Sequence, residues 1–277
     1  ERLASIEIVG RIAAAASIFL FVRDADAYWL VPWVQSGPVL LAALVSLLVA
    51  SRWHRIRLAA PRRGLRALRV AWRLFAFRSS SALYTQANTA ILALIVEPAS
   101  VGLYAVAEKL VRAALRLATP VAQVMLPRQS TLVHKDRVAA ERLARRTFFV
   151  MVGGAALGAM MLTLLREWVL RLVFGADLAA AGPLLATLAV MLPFVAGSNV
   201  VGVQWMLPLG LDRPFLRIIV IVGIANIAIA PAAGFVAGAL GVAWTAVAAE
   251  AAVLVAMLIV LTRHGANPFG ARGAGAP

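Results

Sequence analysis

The sequence predicts an all-α, polytopic membrane protein with about eight transmembrane helices. Hydrophobic residues fill 62% of its 277 positions and charged residues only 14%, and the mean hydropathy is +0.89. An ordinary soluble domain is about half apolar and a quarter charged. The apolar residues also fall in runs of about 20 or more, the length a helix needs to cross the hydrocarbon core. Finally, the loops between the runs alternate between strongly basic and almost free of positive charge, as membrane topology demands.

Taken in order, the spans fall at roughly 3–22, 28–50, 79–97, 101–127, 147–174, 182–208, 214–236 and 240–262. The first holds Glu7 and Arg11 four residues apart, on one helical face. They form either a self-neutralising pair or part of a cavity lining. The second carries Pro32 and Pro38, which bend or break membrane helices. Segment 51–78 follows, with Arg52, Arg55, Arg57, Arg62, Arg63, Arg66, Arg69, Arg73 and Arg78. Trp53, Leu65, Leu68, Trp72 and Phe75 recur among them at near-helical spacing. The segment reads either as an amphipathic helix on the inner leaflet or as a solvated loop that sets topology.

The third span contains Gln86 and Asn88 behind Ser79–Ser81, the kind of polar group that bonds between membrane helices. The fourth is the most informative. Glu108, Arg112 and Arg116 are four apart, and Lys109 lies beside Arg112 and Arg116 on the helix surface. A cation at mid-membrane costs about 2.5–3.5 kcal/mol on insertion scales, so this face must look into protein or a wet cavity. Three cations outnumber one acid there, which suits an anionic headgroup; phosphate fits Arg bidentately and Lys as a point charge. An internal charge network is the competing explanation.

A basic segment follows at 128–146, with Arg128, Lys135, Arg137, Arg142, Arg145 and Arg146. The fifth span closes on Arg166, Glu167, Trp168 and Arg171, read as interfacial anchors. The sixth carries Ser198, Asn199 and Gln204, and the seventh Asn226. Glu250 in the eighth sits among apolar neighbours. It is placed either to bind a proton or sodium ion or to pair with an Arg of another helix. The Gly/Ala/Pro-rich stretch 265–277 reads as a disordered tail.

The formal charge of +15 therefore belongs to topology, not to nucleic acid. The positive-inside rule puts the Arg-rich loops and both ends in the cytoplasm. The chain starts with Glu1 directly before a hydrophobic run, which predicts that it is part of a longer protein. Cysteine is absent, which excludes disulfides and a thiol nucleophile. His54, His134 and His264 lie in or beside basic segments, with no carboxylate or Ser at catalytic spacing. No phosphate loop, dinucleotide turn or metal-ligand cluster is present. No enzyme and no cofactor is expected.

Three stretches resemble a known family. Val101-Gly102-Leu103-Tyr104-Ala105-Val106-Ala107-Glu108-Lys109-Leu110, followed by Pro120 and Leu126-Pro127, resembles the "vGxYxxaxkl…P" helix of polysaccharide flippases. Leu172-Val173-Phe174-Gly175-Ala176-Asp177 resembles their outer turn. Asn199-Val200-Val201-Gly202-Val203-Gln204, Asn226, Gly241-Val242-Ala243-Trp244 and Ala249-Glu250 resemble their last three spans. The family is the Wzx-type flippases of the multidrug/oligosaccharidyl-lipid/polysaccharide (MOP) exporter superfamily.

The resemblance implies spans five to twelve of a two-lobe, twelve-helix transporter. Residues 1–50 would close the N-terminal lobe, 51–78 would link the lobes, and 79–264 would form the C-terminal lobe. It implies movement of undecaprenyl-pyrophosphate-linked oligosaccharide across the bacterial inner membrane, driven by H+ or Na+. Lys109, Arg112 and Arg116 would bind the substrate, with Arg11 facing them from the other lobe. Glu7, Glu108 or Glu250 would carry the coupling ion. Expected partners are membrane lipids, a polysaccharide polymerase and a chain-length regulator. A multidrug exporter of the same superfamily and a non-transporting membrane scaffold are the alternatives. The exporter would call for a more acidic cavity, and the scaffold for complete internal charge pairing.

Overall fold

The computed structural model describes residues 13, 16, 17, 30–53, 87–117 and 119–270. Glu7, Arg11, most of the first span, most of segment 51–78 and the end of the tail lie outside the described residues. Two compact units divide the chain, Glu1–Val70 and Ala71–Pro277. In the first, α1 (Val31–Trp53) is a 23-residue apolar helix with Pro38 inside it.

The second unit contains α2 (Pro98–Leu117), α3 (Thr119–Lys135), α4 (Arg137–Leu164) and α5 (Arg166–Phe174). A 3-10 turn at Ala176–Ala181 leads into α6 (Gly182–Ala189), α7 (Met191–Ser198) and a π-helical stretch, Asn199–Met206; α8 (Asp212–Arg263) completes it. No strand occurs among the described residues. Three helical stretches are long and apolar enough to cross a membrane, Arg137–Leu164, Asp177–Met206 and Asp212–Arg263. The chain is an all-α, polytopic membrane protein.

The fourth expected span is helical over 98–117 and again from Thr119 into α3; residue 118 lies outside the described residues. The basic stretch 128–146 is helical on both sides of Asp136, because Arg and Lys are good helix formers. Asp136 caps α4 by accepting a hydrogen bond from the Ala139 backbone N–H at 2.9 Å. The fifth span consequently starts ten residues earlier than its hydropathy suggests, and it breaks at Leu165 before α5.

α8 is 52 residues long, roughly 78 Å of helix, far more than one bilayer crossing uses. It folds back on itself at Ala237 (φ −131°, ψ 17°) and Gly238 (φ 58°, ψ −142°), where the left-handed backbone favours glycine. Its two limbs are the seventh and eighth spans. Gly234 packs against Val242 beside the bend, while Phe215 and Ile218 share a core with Met257 and Leu261 at the far ends. A Cβ at Gly241 would strike the Ala233 carbonyl oxygen. Gly241→Ala is therefore expected to destabilise the hairpin by about 1–3 kcal/mol, read as a lower Tm and lower yield of monodisperse protein. An unchanged Tm would show that the bend can relax.

Two large apolar cores and a smaller cluster of Met151, Ala196 and Val200 hold the unit. The first joins Tyr104, Ala107 and Val111 of α2 to Leu185 and Leu188 of α6 and Val242 and Ala243 of α8. The second gathers Ala140 and Ala144 of α4, Trp205 and Met206 of the π-helical stretch, and Phe215 and Met257 of α8. The basic residues of 128–146, with Arg213, Arg217 and Arg263, flank this second core in sequence. Trp205 anchors it: Nε1 donates to the Ala266 carbonyl at 2.9 Å, and the Arg137 guanidinium lies 4.8 Å from its ring centroid.

Candidate functional site

Beside the first core, a cavity of about 280 Å³ opens between α2, residue 88, α6–α7 and the second limb of α8. Its floor is apolar, built from Val111, Leu188, Met191 and Val195. Its polar groups are Asn88, Tyr104, Glu108, Arg112, Arg116 and Glu250. Helical phase explains which α2 residues reach it. Each residue advances about 100° around the axis, so Arg112 sits about 40° from Glu108, Arg116 about 80° and Lys109 about 100°. The cavity edge falls at Arg116, which is exposed yet lines it; Lys109 is exposed and not among the lining residues.

Glu108 is the organising group. Its Oε1 accepts a hydrogen bond from Arg112 Nη2 at 2.8 Å, and its Oε2 accepts one from Thr89 Oγ1 at 3.0 Å. Side-chain exposure is 32% for Arg112 and 18% for Glu108, so the pair is partly wet and its net contribution to stability is modest. Glu250 is 8% exposed and reaches the same cavity from the last span.

Asn88 ties the wall together. Its Oδ1 accepts from Asn226 Nδ2 at 2.7 Å, an interhelical bond between the third and seventh spans. Tyr104, 1% exposed, lies one turn before Glu108 and lines the cavity with Asn88. Asn199 and Gln204, polar residues of the sixth span, pair instead with each other at 3.4 Å, five residues apart, as the wider π-helical turn allows. They lie outside the cavity lining.

Of the residues expected at the site, Glu108, Arg112, Arg116 and Glu250 come together at one cavity, and Lys109 does not reach it. Glu7 and Arg11 lie outside the described residues. Thr89 and Tyr104 were not anticipated. The signal for Tyr104 was its place four residues before Glu108; for Thr89 it was only adjacency to Asn88. Arg166 packs its side chain against Gly182, and Glu167 and Arg171 form an exposed pair at 4.0 Å, as interfacial anchors would.

Residues 2–133 match the family model for "Polysaccharide biosynthesis protein". The chain is also 25% identical, over 269 residues, to a protein of Escherichia coli (strain K12) described as "Putative O-antigen transporter". That match covers 93% of this chain and 62% of the relative, so the chain spans somewhat under two thirds of the relative's length. No solved structure matches. The two matches bear out the resemblance to Wzx-type flippases, and the α2 face with Glu108, Arg112 and Arg116 falls within the first of them.

Proposed function

We propose that this relative of the polysaccharide flippases is the greater part of a transporter for lipid-linked oligosaccharide. Its cargo is an undecaprenyl-pyrophosphate-linked sugar unit, carried to the outer leaflet of the bacterial inner membrane for surface polysaccharide assembly. The observation that carries the reading is the cavity itself: Arg112 and Arg116 face Glu108 and Glu250 within a bundle of apolar helices. Charged side chains at that depth are costly and persist where they serve a ligand or a path. The arginines bind the pyrophosphate or acidic sugars of the headgroup, and one carboxylate, Glu108 or Glu250, carries the proton or sodium ion that drives the cycle. Lys109, outside the cavity lining, would add positive charge beside its mouth, and Arg11 and Glu7 would act from the other lobe. The Arg-rich stretches face the cytoplasm, and the polymerase and chain-length regulator receive the product.

A multidrug exporter for cationic compounds is less well served, because the α2 side of the cavity presents two arginines against Glu108. The test is deletion of the parent gene in its own host. Surface polysaccharide should be lost, with lipid-linked oligosaccharide accumulating on the inner leaflet, and the full-length gene should restore it. Normal surface polysaccharide after deletion would contradict the proposal.

A further inference from the structure

A second site lies on α4, away from the cavity just described. Its basic end, Arg142, Arg145 and Arg146, is exposed and forms no ion pair with any described residue. Phe149, 66% exposed, stands one turn further along. Beyond it, Ala156, Ala159, Met160 and Leu164 of α4 form an apolar groove of about 350 Å³ with Pro193 and Phe194 of α7. The hydroxyl of Thr163, also in the groove, is satisfied internally by the Ala159 carbonyl at 2.8 Å, so the groove offers no polar group that needs water.

These features form one line. At about 100° per residue, Arg142, Phe149 and Met160 fall within about 20° of a common stripe along α4, with Arg145 and Arg146 on either side of it. From Arg145 to Ala159 the stripe runs roughly 21 Å. It therefore presents three guanidinium groups at one end and, beyond Phe149, the apolar groove that begins at Ala156. Guanidinium forks match phosphate oxygens, and basic clusters at the membrane surface recruit anionic headgroups.

We infer that α4 binds an anionic phospholipid of the surrounding bilayer, its phosphodiester held by Arg142, Arg145 and Arg146 and one acyl chain lying past Phe149 into the groove against Pro193 and Phe194. The lipid is a bound component of the protein, distinct from the cargo. Because it bridges α4 and α7, it stabilises the wall opposite the cavity-facing side of the same helical stretch, where Met191 and Val195 point inward.

The test uses the full-length parent protein in phosphatidylcholine vesicles containing spin-labelled phosphatidylglycerol, with labelled phosphatidylcholine as the neutral reference. Wild type should prefer phosphatidylglycerol, each arginine contributing up to about five-fold, the ratio equivalent to about 1 kcal/mol. Arg142→Gln, Arg145→Gln and Arg146→Gln together should reduce the preference by at least about five-fold, while the three Lys replacements should keep most of it. Ala156→Phe, which fills the groove and leaves the arginines, should also weaken it. Equal preference in wild type and the Gln variant would overturn the assignment. So would loss of preference in the Lys variant, an unaffected Ala156→Phe, displacement by inorganic pyrophosphate, or displacement by undecaprenyl phosphate at levels where phosphatidylglycerol does not compete. The last result would reassign the site to the carrier lipid.

Discussion

Replacing Arg112 with Ala is expected to cut surface polysaccharide production by roughly ten- to hundred-fold at unchanged protein level. The range corresponds to the loss of one charge-assisted hydrogen bond, about 1.5–3 kcal/mol. Arg112 is also the partner of Glu108 at 2.8 Å, so its removal alone takes away that carboxylate's charged partner and leaves its hydrogen bond from Thr89. A double variant separates the two effects. If Arg112 exists to neutralise Glu108, then Glu108→Gln with Arg112→Ala should recover function, since neither charge remains. If Arg112 binds the cargo, the double variant should stay defective although Glu108→Gln alone remains active; an inactive Glu108→Gln single variant would mark Glu108 as the coupling carboxylate instead. The interaction energy of such a cycle is meaningful because the two side chains touch. Protein level, measured by immunoblot of the membrane fraction, guards against a folding defect.

The second large effect is expected at Glu250. Glu250→Gln keeps the volume and hydrogen-bonding reach of the side chain and removes its charge. If the carboxylate carries the coupling ion, transport driven by an imposed proton or sodium gradient should fall by at least about ten-fold. A charge moving through the membrane field exchanges about 2.3 kcal/mol per 100 mV, and a neutral amide cannot do so. Binding of the lipid-linked oligosaccharide should change little in this variant, because the arginines remain. Gradient-driven transport in liposomes that survives the substitution would assign coupling elsewhere, with Glu108 the next carboxylate to test.

The fold class was legible from composition alone, and the two limbs of α8 appeared where the hydropathy runs placed the last two spans. The register of the basic segments was not. Arg137 to Arg146 read as a loop because the pattern tracks depth in the membrane, whereas helix propensity and the Asp136 cap decide the backbone. At the site, the i,i+4 spacing put Glu108, Arg112 and Arg116 on one strip, and all three line the cavity. It did not separate Lys109, which lies only about 20° beyond Arg116; the walls supplied by α6–α7 and α8 fix where that strip leaves the cavity. Glu250 reached the same cavity from 138 residues beyond Arg112, a juxtaposition made by packing that no local pattern encodes.

The most direct test of the cavity's role is binding. Undecaprenyl-pyrophosphate-linked oligosaccharide from the host can be titrated into the full-length parent protein in nanodiscs, wild type beside Arg112→Ala. A Kd at least about ten-fold weaker in the variant, with unchanged thermal stability, is the expected result. Equal affinity in the two proteins would contradict a substrate-binding cavity and leave Arg112 as a structural partner of Glu108.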